Sequence, residues 1–99
     1  MNTQIVGIAW FRSEQWERLR EVSADRIQLE TNYDDWVRHA EKTLFDLHTN
    51  GLKVVRVDID VDDLLSWCKI KHFPINSESR SKYAAEMLQL RDQQSGNAT

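Results

Sequence analysis

Two runs of mainly apolar residues, 5–11 and 52–59, each precede segments with helical periodicity. In the first run, apolar residues occupy both alternating faces, which predicts a strand covered on both sides. In the second run, Val55, Val57 and Ile59 share one face, so that this face is expected to be buried and the opposite face only partly buried. The two runs therefore predict two β-strands.

The segment after the first strand predicts a short helix followed by a loop. Ser13 offers a side-chain oxygen to the free amides at the start of the helix. Trp16 and Leu19, three residues apart, form its apolar stripe. Between residues 22 and 30 the periodicity breaks down, which predicts a loop with room for a brief extended segment.

The longest helix is predicted to begin at Thr31 or Asn32 and to end at Asn50 and Gly51. Gly51 ends it because glycine adopts the left-handed conformation that satisfies the last carbonyl groups without a side-chain clash. The apolar positions at helical spacing are Tyr33, Trp36, Val37, Ala40, Leu44 and Leu47.

Two further helices are predicted after the second strand. Asp60 or Asp62 caps the third helix, which ends ahead of Pro74 because proline disfavours helical geometry in the residue before it. Ser77 or Ser79 begins the fourth helix. The predicted buried positions are Val61, Leu64, Leu65 and Cys68 in the third helix and Tyr83, Met87 and Leu90 in the fourth.

The element order β-α-α-β-α-α predicts a helix-rich α/β fold in which a small two-stranded sheet packs against helices. A helical crossover joins the strands and favours a parallel pair, while an antiparallel pair stays open because two intervening helices can return the chain in either direction. Residues 1–92 are expected to form a single domain, since 99 residues leave no room for a second. Residues 93–99 are expected to form a flexible polar tail.

Composition and charge narrow the classes of function. Apolar residues make up 40% of the chain and charged residues 29%, which is typical of a folded globular domain. The formal net charge of -3 gives no overall attraction for nucleic acid or anionic lipid, so neither is expected as a partner. Cys68 is the only cysteine, which excludes an intrachain disulfide and favours a reducing cytoplasm. The apolar run near the N-terminus is too short to span a membrane.

The sequence contains no pattern typical of catalysis or cofactor binding. Its three glycines are far apart, so a glycine-rich phosphate loop is excluded. Four aspartates lie close together at positions 58, 60, 62 and 63, but Lys69 stands where a calcium loop needs its closing glutamate. Helix capping and solvation explain these aspartates. No catalytic residue, metal or cofactor is therefore expected, and a non-enzyme is favoured over an enzyme.

The ends of the two strands are the candidate ligand site. Parallel strands bring their carboxyl ends to one edge, where open α/β sheets usually bind ligands. This arrangement would bring Trp10, Arg12 and Ser13 close to Asp58 and Asp60. Trp10 would stack on the ligand, Arg12 would hold an anion, and the aspartates would bind an amine. The alternative is that Arg12 only pairs with these aspartates on the surface.

Phe45 and Trp67 are the candidate interface residues, because each lies away from the apolar stripe of its helix. A two-stranded sheet is marginal by itself and leaves edges that can pair with another chain. We therefore expect a homodimer that either buries Phe45 and Trp67 or extends the sheet through the first strand. The leading hypothesis is a non-enzymatic, homodimerising interaction or regulatory module. The alternative is a small-molecule-binding protein or minor enzyme with its site at the strand ends.

Three motifs distinguish the chain: Val6-Gly7-Ile8-Ala9-Trp10-Phe11 with Trp16 and Leu19, Trp36 with Ala40-Glu41-Lys42, and Trp67-Cys68 after the aspartates. With these motifs the chain resembles a family of small uncharacterised bacterial proteins. The resemblance covers most of the chain except its tail. It implies a bacterial cytosolic protein and carries over no activity.

Overall fold

The computed structural model describes the backbone of residues 5–97 and the side chains of residues 5–91. Its elements are β1 (Ile5–Trp10), α1 (Trp16–Val22), α2 (Tyr33–Thr49), β2 (Lys53–Asp58), α3 (Val61–Lys71) and α4 (Ser77–Asn97). Short 3-10 turns occupy Ser13–Gln15 and Arg26–Gln28. The predicted order β-α-α-β-α-α and the helix-rich α/β class are confirmed.

Strands β1 and β2 form a parallel two-stranded sheet, with Ile5 beside Lys53 and Trp10 beside Asp58. The parallel arrangement favoured from the helical crossover is therefore confirmed. The prediction that the first strand is covered on both sides is wrong, because all six residues of β1 are only half-buried. The physical reason is that α4 packs on one side of β1, whereas α2 packs mainly against β2. One side of β1 is left open.

The hydrophobic core lies between the sheet and helices α1, α3 and α4. Val57 and Ile59 of the second strand run are buried and Val55 is half-buried, as the alternation predicts. Helix α2 contributes no fully buried residue and therefore forms an incomplete layer. The buried apolar residues are Phe11, Trp16, Leu19, Val57, Ile59, Val61, Leu64, Cys68, Ile75, Tyr83, Ala84 and Leu88.

The predicted ends of α2 and α3 are confirmed at atomic detail. The Asn32 side chain accepts a hydrogen bond from the Asp34 amide at 2.8 Å, and the Asp60 carboxylate accepts one from the Asp63 amide at 3.1 Å. Each bond satisfies an amide that has no partner within the helix. Gly51 follows α2 with φ of 88°, the left-handed conformation that ends a helix without a side-chain clash.

The first helix begins differently from the prediction. Ser13 lies inside a 3-10 turn and does not cap α1. Arg12 precedes this turn and makes no side-chain capping bond. The chain thus enters α1 through backbone bonds of the turn, including one from the Gln15 amide to the Arg12 carbonyl at 3.0 Å.

Helix α4 is capped by two reciprocal bonds. The Asn76 side chain accepts from the Ser79 amide, and the Ser79 hydroxyl accepts from the Asn76 amide, both at 3.0 Å. Tyr83 is buried as predicted, but Leu90 is exposed because the buried stripe passes through Leu88.

The backbone of α4 is helical through Asn97, so the helix includes much of the segment predicted to be a flexible tail at residues 93–99. Residues 98 and 99 of that segment lie outside the described residues, as do residues 1–4 of the predicted domain.

Candidate interaction groove

A groove of about 810 Å³ runs along β1 on the side away from β2. Residues 5–9 of β1 form its floor, and no residue of β2 lines it. Trp36, Thr43 and Leu47 of α2 contribute one wall, and residues of α4 that include Ser81 and Ala85 contribute the other. Because a strand of six residues is about 20 Å long, the groove can take an extended segment of similar length.

The backbone of β1 leaves hydrogen-bonding groups unpaired at the floor of this groove. The Trp10 carbonyl points toward β2, since it accepts a bond from the Ile59 amide at 3.0 Å. Backbone groups of successive strand residues point to opposite sides, so the amides and carbonyls of Gly7 and Ala9 point into the groove. Among the described residues, nothing pairs with them. This edge can therefore accept another strand.

The two edges of the sheet differ in charge. Strand β1 contains no charged residue and no proline, whereas β2 carries Lys53, Arg56 and Asp58. Charged side chains on an edge strand oppose the addition of another chain. The edge of β2 is protected in this way, and the edge of β1 is not.

A cluster of aromatic rings forms one end of the groove. The Trp36 ring lies 5.0 Å from the ring of Trp16 and 5.0 Å from that of Trp10, measured between centroids. The Trp16 indole N–H donates to the Glu30 carbonyl at 3.0 Å. The Tyr33 hydroxyl donates to the carbonyl of the residue after β1 at 2.7 Å, and burial raises the Tyr33 pKa, which keeps this donor protonated. These bonds fix the rings in place.

Arg80 is the one charged residue among the described groove residues, and its charge is already compensated. Its guanidinium donates two bonds to the Asp25 carboxylate, at 2.9 and 2.7 Å, and a weaker one to the Ser23 hydroxyl at 3.3 Å. The hydrogen bond from Arg80 lowers the pKa of Asp25 below its ordinary value. The ion pair links the loop before α2 to helix α4, and it leaves the groove nearly neutral.

Residues of the predicted strand-end site line a separate cleft of about 310 Å³. Trp10, Arg12, Asp58 and Asp60 all line it, whereas Ser13 does not. Arg12 Nη2 lies 3.8 Å from Asp60 Oδ2, the surface pairing that was the alternative explanation for this arginine. Arg12 is also paired with a nearby glutamate, and its side chain is 65% exposed. Parallel strand ends therefore bring together four of the five predicted residues.

The Trp10 ring within this cleft is already covered. The Arg56 guanidinium carbon lies 4.1 Å from the ring centroid, a cation–π contact, and the Trp36 ring packs against it as well. A ligand that stacked on Trp10 would have to displace one of these side chains. The stacking role expected for Trp10 is thus weakened.

The two predicted interface residues differ in exposure. Phe45 is 68% exposed. It lies two residues from both Thr43 and Leu47, and so on the opposite side of α2 from the groove. Trp67 is half-buried, because its ring packs between Phe73 and Tyr83 with centroids 5.6 and 5.2 Å away. In a contact surface that used both residues, Phe45 would be exposed and Trp67 would be only half-exposed.

Sequence reasoning missed the groove walls on α2 and α4. The signal for the groove was present in the contrast between an uncharged first strand and a charged second strand. An uncharged run is typical of a buried strand, and an unprotected edge strand explains it equally well.

No family model matches the sequence, and neither a curated protein nor a solved structure matches it. The resemblance to small bacterial proteins therefore stays a prediction. Among the described residues, no helix combines the length with the apolar composition needed to cross a membrane. No three histidine, cysteine or acidic side chains of the described chain lie close enough together to hold a metal ion.

Proposed function

We propose that this protein is a non-enzymatic interaction module that receives an extended protein segment along β1. The observation that supports this function most directly is the unpaired, uncharged edge of β1 at the floor of an open groove. Backbone hydrogen bonds would provide affinity, and the walls of the groove would select the side chains of the incoming segment.

The energetics of the sheet favour the same function. A two-stranded sheet is marginal in water, and a third strand would pair the outward groups of Gly7 and Ala9. It would also cover Val6 and Ile8, which are half-buried and line the groove. Only a bound segment in an extended conformation would both form these backbone hydrogen bonds and cover these two side chains.

The chemistry of the lining favours binding over catalysis. The described groove residues include no carboxylate, histidine or thiol, and Arg80 is occupied by Asp25. We propose a location in the bacterial cytoplasm, because the single cysteine, Cys68, is buried and free and the motifs of the chain resemble those of bacterial proteins. The net charge of -3 supports a protein partner over nucleic acid or a membrane.

Peptide binding tests this proposal. We expect uncharged, strand-forming heptapeptides flanked by lysines to bind the protein, measured by the fluorescence anisotropy of a label on the peptide. Ala85 is exposed on the α4 wall, so Ala85→Arg fills the groove with a charge and is expected to weaken binding about tenfold or more. Peptides with alternate residues replaced by proline should not bind, because proline lacks the amide donor.

Ser66→Arg is the matched control, because Ser66 is exposed on α3 and lies outside the groove. It adds the same charge and should leave peptide binding unchanged. Equal binding by the Ala85→Arg variant, or binding by no peptide of the panel at concentrations where the protein is a monomer, would contradict the proposed function.

The strand-end cleft supports a second candidate function, small-molecule binding, because Arg12, Asp58 and Asp60 converge there. In that case a metabolite library should contain a compound that raises the melting temperature of the wild-type protein but not of Arg12→Ala. Arg18→Ala is the control, since Arg18 is an exposed arginine that pairs with Asp62 outside the cleft. Stabilisation that persists in Arg12→Ala would place the ligand elsewhere.

A further inference from the structure

The charges of the chain restrict what the groove along β1 can bind. The groove is nearly neutral, because Arg80 is neutralised by Asp25. Of the two described extended segments of this chain, β2 carries Lys53, Arg56 and Asp58, which would be desolvated without partners in the groove. Strand β1 is uncharged, so its chemistry matches that of the groove.

We infer that the groove of one copy receives β1 of a second copy in antiparallel pairing about a two-fold axis at Gly7, an inference that rests on the proposed function. Two identical edges related by a two-fold axis between them must run antiparallel. With the axis at Gly7, the two glycines face each other and Ile5 lies opposite Ala9. These are the residues whose backbone groups point outward, so each opposed pair exchanges two hydrogen bonds.

The register centred on Gly7 preserves the internal bonds of each copy. An axis at Ile8 would place Ile5 opposite Phe11, whose carbonyl already accepts the Tyr33 hydroxyl at 2.7 Å. In that register the Phe11 carbonyl of each copy would have to share or lose its hydrogen bond from the Tyr33 hydroxyl. The axis at Gly7 uses the outward groups between Ile5 and Ala9 and leaves the Tyr33 bond intact.

The size of the contact predicts its strength. The pairing extends about 20 Å along the six residues of β1, and about 20 Å separates the layers of α2 and α4 on the two faces of the sheet. If each helix layer lies at the roughly 10 Å from the sheet that is typical of packed layers, the projected contact is roughly 400 Å² per copy and roughly 800 Å² in total, which is small for a specific interface. A dimer that forms as concentration rises is therefore expected, instead of a permanent one.

Sedimentation equilibrium over a wide concentration range tests the dimer. We expect the wild-type protein and Ser66→Arg to shift from monomer to dimer with the same dissociation constant. In Ala85→Arg the dissociation constant should rise about tenfold or more, because each groove then contains an unpaired charge. An equal constant for Ala85→Arg would overturn the inference.

Disulfide formation tests the register. With the axis at Gly7, Val6 lies opposite Ile8 as a pair without hydrogen bonds, with Cα atoms about 4.5 Å apart, which a disulfide can span. A mixture of Val6→Cys and Ile8→Cys should therefore form mixed disulfides far more readily than either variant alone. The wild-type protein, whose Cys68 is buried, is the blank. Efficient bonding of Ile8→Cys to itself would move the axis to Ile8 and overturn the inferred register.

The outcomes separate this inference from the proposed function. A monomer at every concentration that still binds strand peptides in the groove would overturn the homodimer and leave the interaction module in place. Absence of both dimer and peptide binding would overturn both.

Discussion

Replacing Trp16 with alanine is expected to lower the free energy of unfolding by about 4 kcal/mol, measured by urea denaturation. The Trp16 side chain is 2% exposed, and its ring lies 5.0 Å from that of Trp36 and 5.9 Å from that of Tyr33. Alanine would leave a large cavity among these rings. It would also remove the indole donor from the Glu30 carbonyl and release the loop before α2.

Trp16→Phe is the control, because phenylalanine retains much of the ring but not the N–H donor. We expect it to cost about 1 to 2 kcal/mol, from one lost hydrogen bond and imperfect packing. If both variants lost the same free energy, the hydrogen bond and not the cavity would be the main contribution. A loss of less than about 1 kcal/mol for Trp16→Ala would contradict the burial described for this ring.

Replacing Arg80 with methionine is expected to cost about 3 kcal/mol of unfolding free energy. The Arg80 side chain is 11% exposed and that of Asp25 14%, so the variant leaves a nearly buried carboxylate without its two charged hydrogen bonds. Methionine retains the packing of the aliphatic part of the arginine side chain. The loss of unfolding free energy can therefore be assigned to the ion pair. The double variant Asp25→Asn with Arg80→Met should be more stable than Arg80→Met alone, because the unpaired charge is gone. If the double variant is less stable than Arg80→Met alone, the ion pair is not what holds the loop before α2 against α4.

The same ion pair predicts a dependence of stability on pH. Arg80 holds the pKa of Asp25 in the folded protein below its ordinary value of 3.8. The pair therefore contributes its full stabilisation above that ordinary value and loses it as the pH falls through the folded pKa. The stability difference between wild type and Asp25→Asn should be constant near neutral pH and shrink in acid. A difference that persists unchanged into strong acid would contradict this assignment.

The features predicted correctly from the sequence are those with local causes. Asn32 and Asp60 cap helices through amides two and three residues away, and Gly51 ends α2 by its own conformation. The alternation of Val57 and Ile59 depends only on the period of a strand. Such signals lie within a few residues of the feature that they predict.

The features that were missed depend on contacts between distant parts of the chain. Asp25 and Arg80 are 55 residues apart, and the sequence around either residue does not indicate that the two form an ion pair. Trp67 lies away from the apolar stripe of α3, but Phe73 and Tyr83 fold over it. The half-burial of β1 likewise depends on α2 packing mainly against β2, which the pattern of either segment does not reveal.

The sequence predicts which residues line the strand-end cleft, but not which of their side chains are already covered by other residues. Parallel strands must bring their carboxyl ends together, and so Asp58 and Arg12 meet as expected. That Arg56 covers the Trp10 ring depends on the path of a long side chain, which the spacing of residues does not determine.

The difference in charge between the two edge strands limits how many copies can join. Once two copies have paired through β1, the outermost strands of the combined sheet are both β2. Lys53, Arg56 and Asp58 on those strands discourage any further chain from adding to the sheet. In the inferred homodimer, assembly would therefore stop at two copies, and an edge that could otherwise seed fibres would yield a complex of fixed stoichiometry.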